Sequence, residues 1–313
     1  MHSCPSELGE KKCVAITGAN GFLGRHITQI AVEKGWDVRG IVRSEKAAKM
    51  VEQSCGSPFI ISRFNADELI PAVQGCEALI HLIGITGGTE QDFDMINVGC
   101  AKVALEVAKK ADIKRIITPS GLGVDQIGKK DWANNNYFRS KMAIERLFQA
   151  KNQPFVIFRP SYIIGPGDEL IPYMIQQMLE GNVDLVGSGQ NPIQPIYVED
   201  AANAFINAAQ GMGLSNQIYD LVGPETIPFR RVIELVANAL TSIRKKRPIF
   251  SISEISQSEA YEKLGMSKED ADVAVSDAIG DPTKLCAQLG LSLTPLQKAV
   301  ENTVNYELSK YTI

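Results

Sequence analysis

Residues Val14-Ala15-Ile16-Thr17-Gly18-Ala19-Asn20-Gly21-Phe22-Leu23-Gly24 form a short apolar run that breaks into three glycines spaced three apart, just before a helical pattern begins. The unbroken apolar run reads as a strand ending at Thr17. Gly18 then permits a tight turn, Gly21 lets an anion approach the backbone, and Gly24 lets the following helix pack close to the sheet. The helix start offers unpaired N–H groups and a partial positive charge, which is the grammar of a dinucleotide phosphate site, with Asn20, Phe22 and Leu23 completing the loop around it. Glycine-rich turns also join strands to helices in proteins that bind nothing, so the surrounding pattern has to carry the reading.

That pattern is an alternation. Apolar runs at Val38 to Val42, Phe59 to Ile61, Ala78 to Ile83, Arg115 to Thr118 and Phe155 to Phe158 are separated by helical periodicity at Arg25 to Lys34, Asn97 to Lys110 and Tyr137 to Ala150. Strands buried on both faces read as unbroken apolar runs, so the expected fold is α/β, a Rossmann-type doubly wound parallel sheet with right-handed crossovers. After Pro160 the rhythm changes at Gly165-Pro166-Gly167-Asp168, a loop leaving the sheet. Beyond it come a helix at Tyr173 to Glu180, a turn at Gly187-Ser188-Gly189, a strand-like stretch at Pro195 to Val198, a helix from Asp200 to Ala209 and a last helix at Pro295 to Leu308. The expected division is a dinucleotide-binding domain over 12–165 with returning segments at about 195–222, and a small substrate lobe from 166–194 and 223–313 over the carboxyl ends of the strands.

A chain of 313 residues is long enough for a sizeable core of this kind. Its net charge of −4, with charges mixed along the chain, gives no electrostatic argument for nucleic acid or an anionic membrane. The basic run Arg244-Lys245-Lys246-Arg247 reads as a solvated connection between helix and strand. Six cysteines without a CxxC pair and only three histidines support neither a metal site nor a disulfide framework, and Cys4 and Cys100 are assigned no role. The first dozen residues lack a signal-like apolar stretch, and no segment approaches the ~20 apolar residues of a membrane span, so a cytoplasmic location is expected.

In NAD-specific folds a carboxylate ends the second strand and accepts the ribose hydroxyl. Here that place reads Val42-Arg43-Ser44, and Arg43 suits a 2′-phosphate, which makes NADP the preferred cofactor, with NAD possible. Arg43 stacked on the adenine or solvated is the alternative. Asn65 or Asp67 is expected near the adenine amino group, and Leu82, Ile83 and Gly84 where the cofactor crosses the sheet edge. His81, inside an apolar strand, reads as a core histidine.

Tyr137 and Lys141 stand at i and i+4, hence on one helix face, where the ammonium is expected to lower the phenol pKa towards a useful range. Tyr306 and Lys310 repeat the spacing; what distinguishes Tyr137 is the upstream run Thr118-Pro119-Ser120-Gly121, which brings a hydroxyl to it. Taken with Gly18, Gly21 and Gly24, Asn97, Arg159-Pro160-Ser161, Gly165-Pro166 and Val198-Glu199-Asp200-Ala201-Ala202, these residues resemble an extended or atypical short-chain dehydrogenase/reductase over nearly the whole chain. The resemblance is to the NAD(P)-dependent epimerase/dehydratase group, within it the branch that includes the NADPH-binding accessory subunit of respiratory complex I. It implies Tyr137 as proton donor or acceptor, Lys141 as its partner on the nicotinamide ribose, Ser120 as the hydroxyl that polarises the substrate oxygen, and Asn97, Pro160 and Ser161 near the cofactor.

Nucleotide-sugar enzymes of this group usually carry an arginine just before the late strand. This chain has Ile193-Gln194-Pro195 there, which removes a bidentate phosphate donor. Two functional classes are therefore expected to compete: an oxidoreductase, epimerase or dehydratase acting on a small hydroxyl or carbonyl substrate, and a non-catalytic NADPH-binding structural or assembly protein with a protein partner. The helices that relatives use for dimerisation carry Lys102, Glu106, Lys109, Lys110, Arg139, Arg146 and Gln149, which leaves monomer and homodimer both open.

Overall fold

A computed structural model describes residues 12–310; Cys4 and most of the first dozen residues lie outside them. In chain order the elements begin with β1 (Cys13–Thr17), α1 (Phe22–Glu33), β2 (Asp37–Val42), α2 (Glu45–Gln53), β3 (Ser57–Ile60), α3 (Ala66–Val73) and β4 (Ala78–His81). Next come α4 (Glu90–Asp92), a π-helical stretch (Phe93–Gly99), α5 (Cys100–Lys110), β5 (Arg115–Pro119), α6 (Asn136–Gln149), β6 (Phe155–Pro160) and β7 (Ile163–Ile164). The remainder holds α7 (Leu170–Glu180), β8 (Asn182–Val186), β9 (Pro192–Ile193), β10 (Ile196–Tyr197), α8 (Val198–Ala209), β11 (Gln217–Leu221) and β12 (Ile227–Pro228). It closes with α9 (Arg230–Arg244), β13 (Ser251–Ile255), α10 (Gln257–Leu264), α11 (Lys268–Ala274), α12 (Thr283–Leu289) and α13 (Leu296–Ser309).

The main sheet has seven strands in the order β11-β6-β5-β4-β1-β2-β3, and every pairing in it is parallel. The order reverses between β1 and β4, the switch point at which open α/β sheets bind ligands beyond their carboxyl ends. Alternation along the strands divides the core in two. Val14, Ile16 and Ile80 face α1, α2 and α8, whereas Cys13, Ala15 and Leu79 face α3, α5 and α6. Both faces are covered by helices, which is why the strands read as continuous apolar runs.

A second apolar core lies outside this sheet, where Met174, Met178, Val183, Leu185, Ile233, Val236 and Val300 bring α7, β8, α9 and α13 together. Its strand pair, β8 with β13, is parallel and joins segments about seventy residues apart. Two segments cross between the cores: α8 covers the main sheet, and β11 extends it at one edge.

Several local expectations need correction. The stretch expected as a strand from Pro195 to Val198 pairs only at Ile196 and Tyr197, and α8 already begins at Val198. The helix expected from Asn97 is preceded by α4 and passes through the π-helical stretch, so Asn97 lies inside a helix rather than at its start. Cys13 and Cys76 form a disulfide, although their 63-residue separation carries no sequence signal. The parallel pairing of β1 with β4 brings them together, since Val14 lies opposite Ala78.

The turn that opens the fold depends on absent side chains. Gly18 has φ +74°, a left-handed conformation, and a Cβ on Gly24 would lie 2.8 Å from Ala19 Cα and against the Gly18 carbonyl. Gly24→Ala should therefore cost roughly 1–3 kcal/mol through forced separation of α1 from the turn, read as a lower midpoint in urea unfolding. Gly35→Ala, where a Cβ would meet nothing within 4 Å, is the control for local crowding; its left-handed φ of +83° contributes backbone strain alone.

Candidate active site

The site is assembled at the carboxyl ends of β1, β4 and β5. Gly21 is the N-cap of α1 and makes no side-chain capping bond, so the first-turn N–H groups are left for another acceptor. The turn is closed by its own backbone, Gly21 N donating to Gly18 O at 3.0 Å. Across it, Gly18 packs against Leu82 and Ile83, where a Cβ would lie 3.3 Å from the Leu82 carbonyl carbon. This cradle, open at an uncapped helix start, fits a dinucleotide pyrophosphate.

Beside it, Gly84 marks where two functional groups converge: a Cβ there would lie 3.3 Å from Asn97 Oδ1 and 3.5 Å from Lys141 Nζ. Asn97 is fully buried, and all its hydrogen-bonding is internal. Its Oδ1 accepts from Ile85 N at 2.8 Å, while Nδ2 donates to Ile85 O at 3.2 Å and to Ser140 Oγ at 2.9 Å. Ser140 in turn donates to the Tyr137 carbonyl at 2.7 Å. Asn97 was expected at the cofactor, but both its amide donors are used in clamping the loop after β4 to α6. The π-helical stretch around it is the local distortion that places its side chain there.

Tyr137 and Lys141 share a face of α6, with Lys141 Nζ 5.6 Å from the centre of the phenol ring. Burial pushes Lys141 down to about 8. The expectation that Lys141 lowers the phenol is reversed: burial pushes Tyr137 up to about 12, and the charge of Asp270 adds to the rise. The phenol is therefore protonated at neutral pH.

Ser120 has a partner that its sequence neighbourhood does not reveal. Its hydroxyl donates to Glu145 Oε1 at 2.6 Å, and Glu145 accepts Arg159 Nε and Nη2 at 2.8 and 2.7 Å. The serine thus serves a part-buried, bidentate ion pair that fixes β5 and β6 against α6, instead of turning to the phenol. The Tyr137 ring reaches the neighbouring backbone, since a Cβ on Gly121 would lie 3.4 Å from Tyr137 Cε1. Glu145 and Arg159 were missed as partners of Ser120, although Glu145 continues the i, i+4 spacing of Tyr137 and Lys141.

The remaining candidates separate. Arg43 is exposed directly after β2, with its charge felt by Cys100, while Arg39 is held away by donating to the Ala72 and Gln74 carbonyls. Asn65 Oδ1 caps α3 by accepting from Glu68 N at 3.0 Å, and Asp67 is exposed in the first turn of that helix. Asn20, Phe22 and Leu23 stand at the start of α1, and Phe22 meets His26 edge to face. Ser161, next to Pro160, donates to Ala278 O at 2.9 Å and so ties the sheet edge to the segment after α11. Gln194, standing where an arginine would grip a diphosphate, donates to Gly223 O at 2.7 Å and accepts from Gly280 N at 3.1 Å. His81 is buried, with Nδ1 on Thr17 Oγ1 at 2.8 Å and its pKa pushed down to about 3 by burial and Lys141, so it is neutral.

A glycine cradle at the start of α1, opposite a Tyr/Lys pair over the switch point of a parallel sheet, defines a protein of the Rossmann-type, NAD(P)-binding class. The chain belongs to the NAD dependent epimerase/dehydratase family, whose profile matches residues 14–221. It is 31% identical over 198 residues to a ceramide reductase of Caulobacter vibrioides, covering 60% of this chain and 58% of that one. It is 26% identical over 262 residues to a 2-alkyl-3-oxoalkanoate reductase of Stenotrophomonas maltophilia, covering 75% and 78%. Among solved structures, the UDP-glucuronic acid 4-epimerase of Bacillus cereus in complex with NAD superposes with a TM-score of 0.74 at 19% identity, over 96% of this chain and 100% of that one. Among the described residues, no helix is long and apolar enough to cross a membrane.

The buried lysine has a stability signature. The unfolded chain holds that proton to about pH 10.5, the folded chain only to about 8. Between those values the unfolded state binds more protons, so stability should rise with pH. Lys141→Met should flatten this rise and raise the melting temperature at pH 7, which calorimetry across pH 7–10.5 would read.

Proposed function

We propose that this protein is an NADP(H)-dependent oxidoreductase that interconverts a ketone and a secondary alcohol, with Tyr137 as the proton donor and Lys141 as its partner. The observation that carries the reading is the protonated phenol of Tyr137, buried beside a lysine at the edge of a cradle that fits a dinucleotide. The names of both relatives describe reductases, which supports the same direction.

Reduction breaks the C=O π bond: the carbon takes a hydride and the oxygen takes a proton. A bound nicotinamide supplies or accepts the hydride. Tyr137 gives the proton to the oxygen, and Lys141, held by the same helix, steadies the phenolate that is left by its positive charge. Ser120 acts from behind, because its hydroxyl is given to Glu145; its contribution is to hold the end of β5 against α6. Gly18, Gly21 and Gly24 would hold the pyrophosphate of a bound dinucleotide, Leu82, Ile83 and Gly84 would line its crossing point, and Arg43 would meet a 2′-phosphate.

Oxidation of the alcohol needs the phenolate, which burial and Asp270 disfavour. The oxidative kcat/KM should therefore climb as pH rises from 7 to about 8, where Lys141 begins to lose the charge that steadies the phenolate, whereas the reductive rate should not. Tyr137→Phe should lower turnover by at least about 100-fold with NADPH affinity little changed; unaltered turnover removes the assignment. Arg43→Ala should weaken NADPH binding about 10-fold or more and leave NADH binding almost unaffected, as measured by fluorescence titration. An equal loss for both cofactors would sink the 2′-phosphate site.

A further inference from the structure

A cavity of about 830 Å³ opens beside the catalytic pair. Gly84, whose Cβ position is 3.5 Å from Lys141 Nζ, forms part of its wall, and so do Asp270 and Val273, the small-lobe neighbours of Tyr137. From there the cavity extends between α7, β8 and α9 on one side and α10 and α11 on the other. Its walls are mainly aliphatic and aromatic, with Met174, Leu185, Phe229, Ile233, Leu264 and Met266 among them.

Two features of the lining select what can enter. The charged side chains are Asp168, Glu169, Asp184 and Asp270, with no lysine or arginine among them. A diphosphate would meet only carboxylates here, and Gln194, at the position of the usual phosphate-gripping arginine, is committed to backbone partners. The second feature is Gln177 on α7. It is 7% exposed, its Nε2 donates to Tyr173 Oη at 2.9 Å, and its Oε1 is buried without a hydrogen-bond partner. That oxygen is closed off even from the cavity its residue lines, so a donor on a bound chain reaches it only with a turn of the Gln177 side chain, which the unpaired acceptor favours.

We propose that the substrate is an uncharged amphiphile whose alkyl chain fills this cavity, and that Gln177 reads a hydroxyl or N–H group carried on that chain. The proposal rests on the ketone–alcohol reading for the position of the reacting carbon, and on the cavity alone for the class of substrate. Each methylene moved from water to an apolar wall tightens binding about fourfold, so the cavity makes chain length the main determinant of affinity. Gln177 then discriminates among chains of equal length.

The test is calorimetric titration of the full-length protein with 2-hexanone through 2-tetradecanone, with UDP-glucose as the anionic competitor. Affinity should rise about fourfold per methylene until the chain outgrows the cavity, with UDP-glucose bound far more weakly than the long ketones. A flat series, or tighter binding of UDP-glucose, overturns the substrate class. Met266→Asp, at a half-buried wall position, should weaken 2-dodecanone at least 10-fold with the NADPH affinity intact; unchanged ketone binding counts against the cavity. Hydroxylated 2-dodecanones, with the hydroxyl moved along the chain, probe Gln177: at one position Gln177→Leu should erase a preference of about 5-fold over the parent ketone. If no position shows a preference that the variant removes, Gln177 has no such role. Ketones that bind as expected but are never reduced with NADPH bound would sink the redox reading and leave the cavity assignment standing.

Discussion

The close approach of α1 to the first turn governs this structure. Because Gly24 has no side chain, the helix rests on the backbone of Gly18 and Ala19, and because Gly18 adopts a left-handed conformation, the chain reverses before a side chain intervenes. The same two conditions seat α1 against β1 and leave its N–H groups pointing at the switch point. Fold and the open cradle at the start of α1 are thus one piece of geometry, and a residue that disturbed the first would close the second.

A second constraint links stability to chemistry. Lys141 is held in an environment that disfavours its charge, close to the carboxamide of Asn97 and the ring of Tyr137. Asn97 fixes the loop after β4 by both its amide oxygen and its amide nitrogen, and through Ser140 it fixes the start of α6. The Ser120–Glu145–Arg159 cluster does the same for the ends of β5 and β6. Buried polar networks of this kind hold a site in one arrangement at some cost in stability. Low-dielectric burial strengthens the hold of Tyr137 on its proton, and Asp270, contributed by α11, pushes in the same direction.

Much of this was legible in the chain. Apolar runs buried on both faces revealed the parallel strands, since such strands need no polar alternation, and the i, i+4 spacing placed Tyr137 with Lys141. Less legible were the elements whose pattern is weak: β8 and β13 pair across about seventy residues, and the short α3 carries Pro71, exposed, inside the helix. The hydrogen-bond partners of Ser120, Asn97 and Ser161 were not legible for a shared reason. Each is a small polar side chain with several partners in reach, and the choice among them depends on distances set by other elements.

By itself, the sequence determined the doubly wound sheet, the glycine cradle and the Tyr/Lys pair, because these depend on local periodicity and on conformations that only particular residues adopt. Tertiary structure decided what each polar group does: which carboxylate Ser120 meets, that Cys13 reaches Cys76, that Asp270 lies near enough to Tyr137 to raise its pKa, and that an apolar cavity lined by Gln177, whose Oε1 alone lacks a partner, lies beside the pair. The physical reason is range. Strand, turn and helix preferences act over a few residues, whereas desolvation and hydrogen-bond choice are set by groups that packing brings from distant parts of the chain.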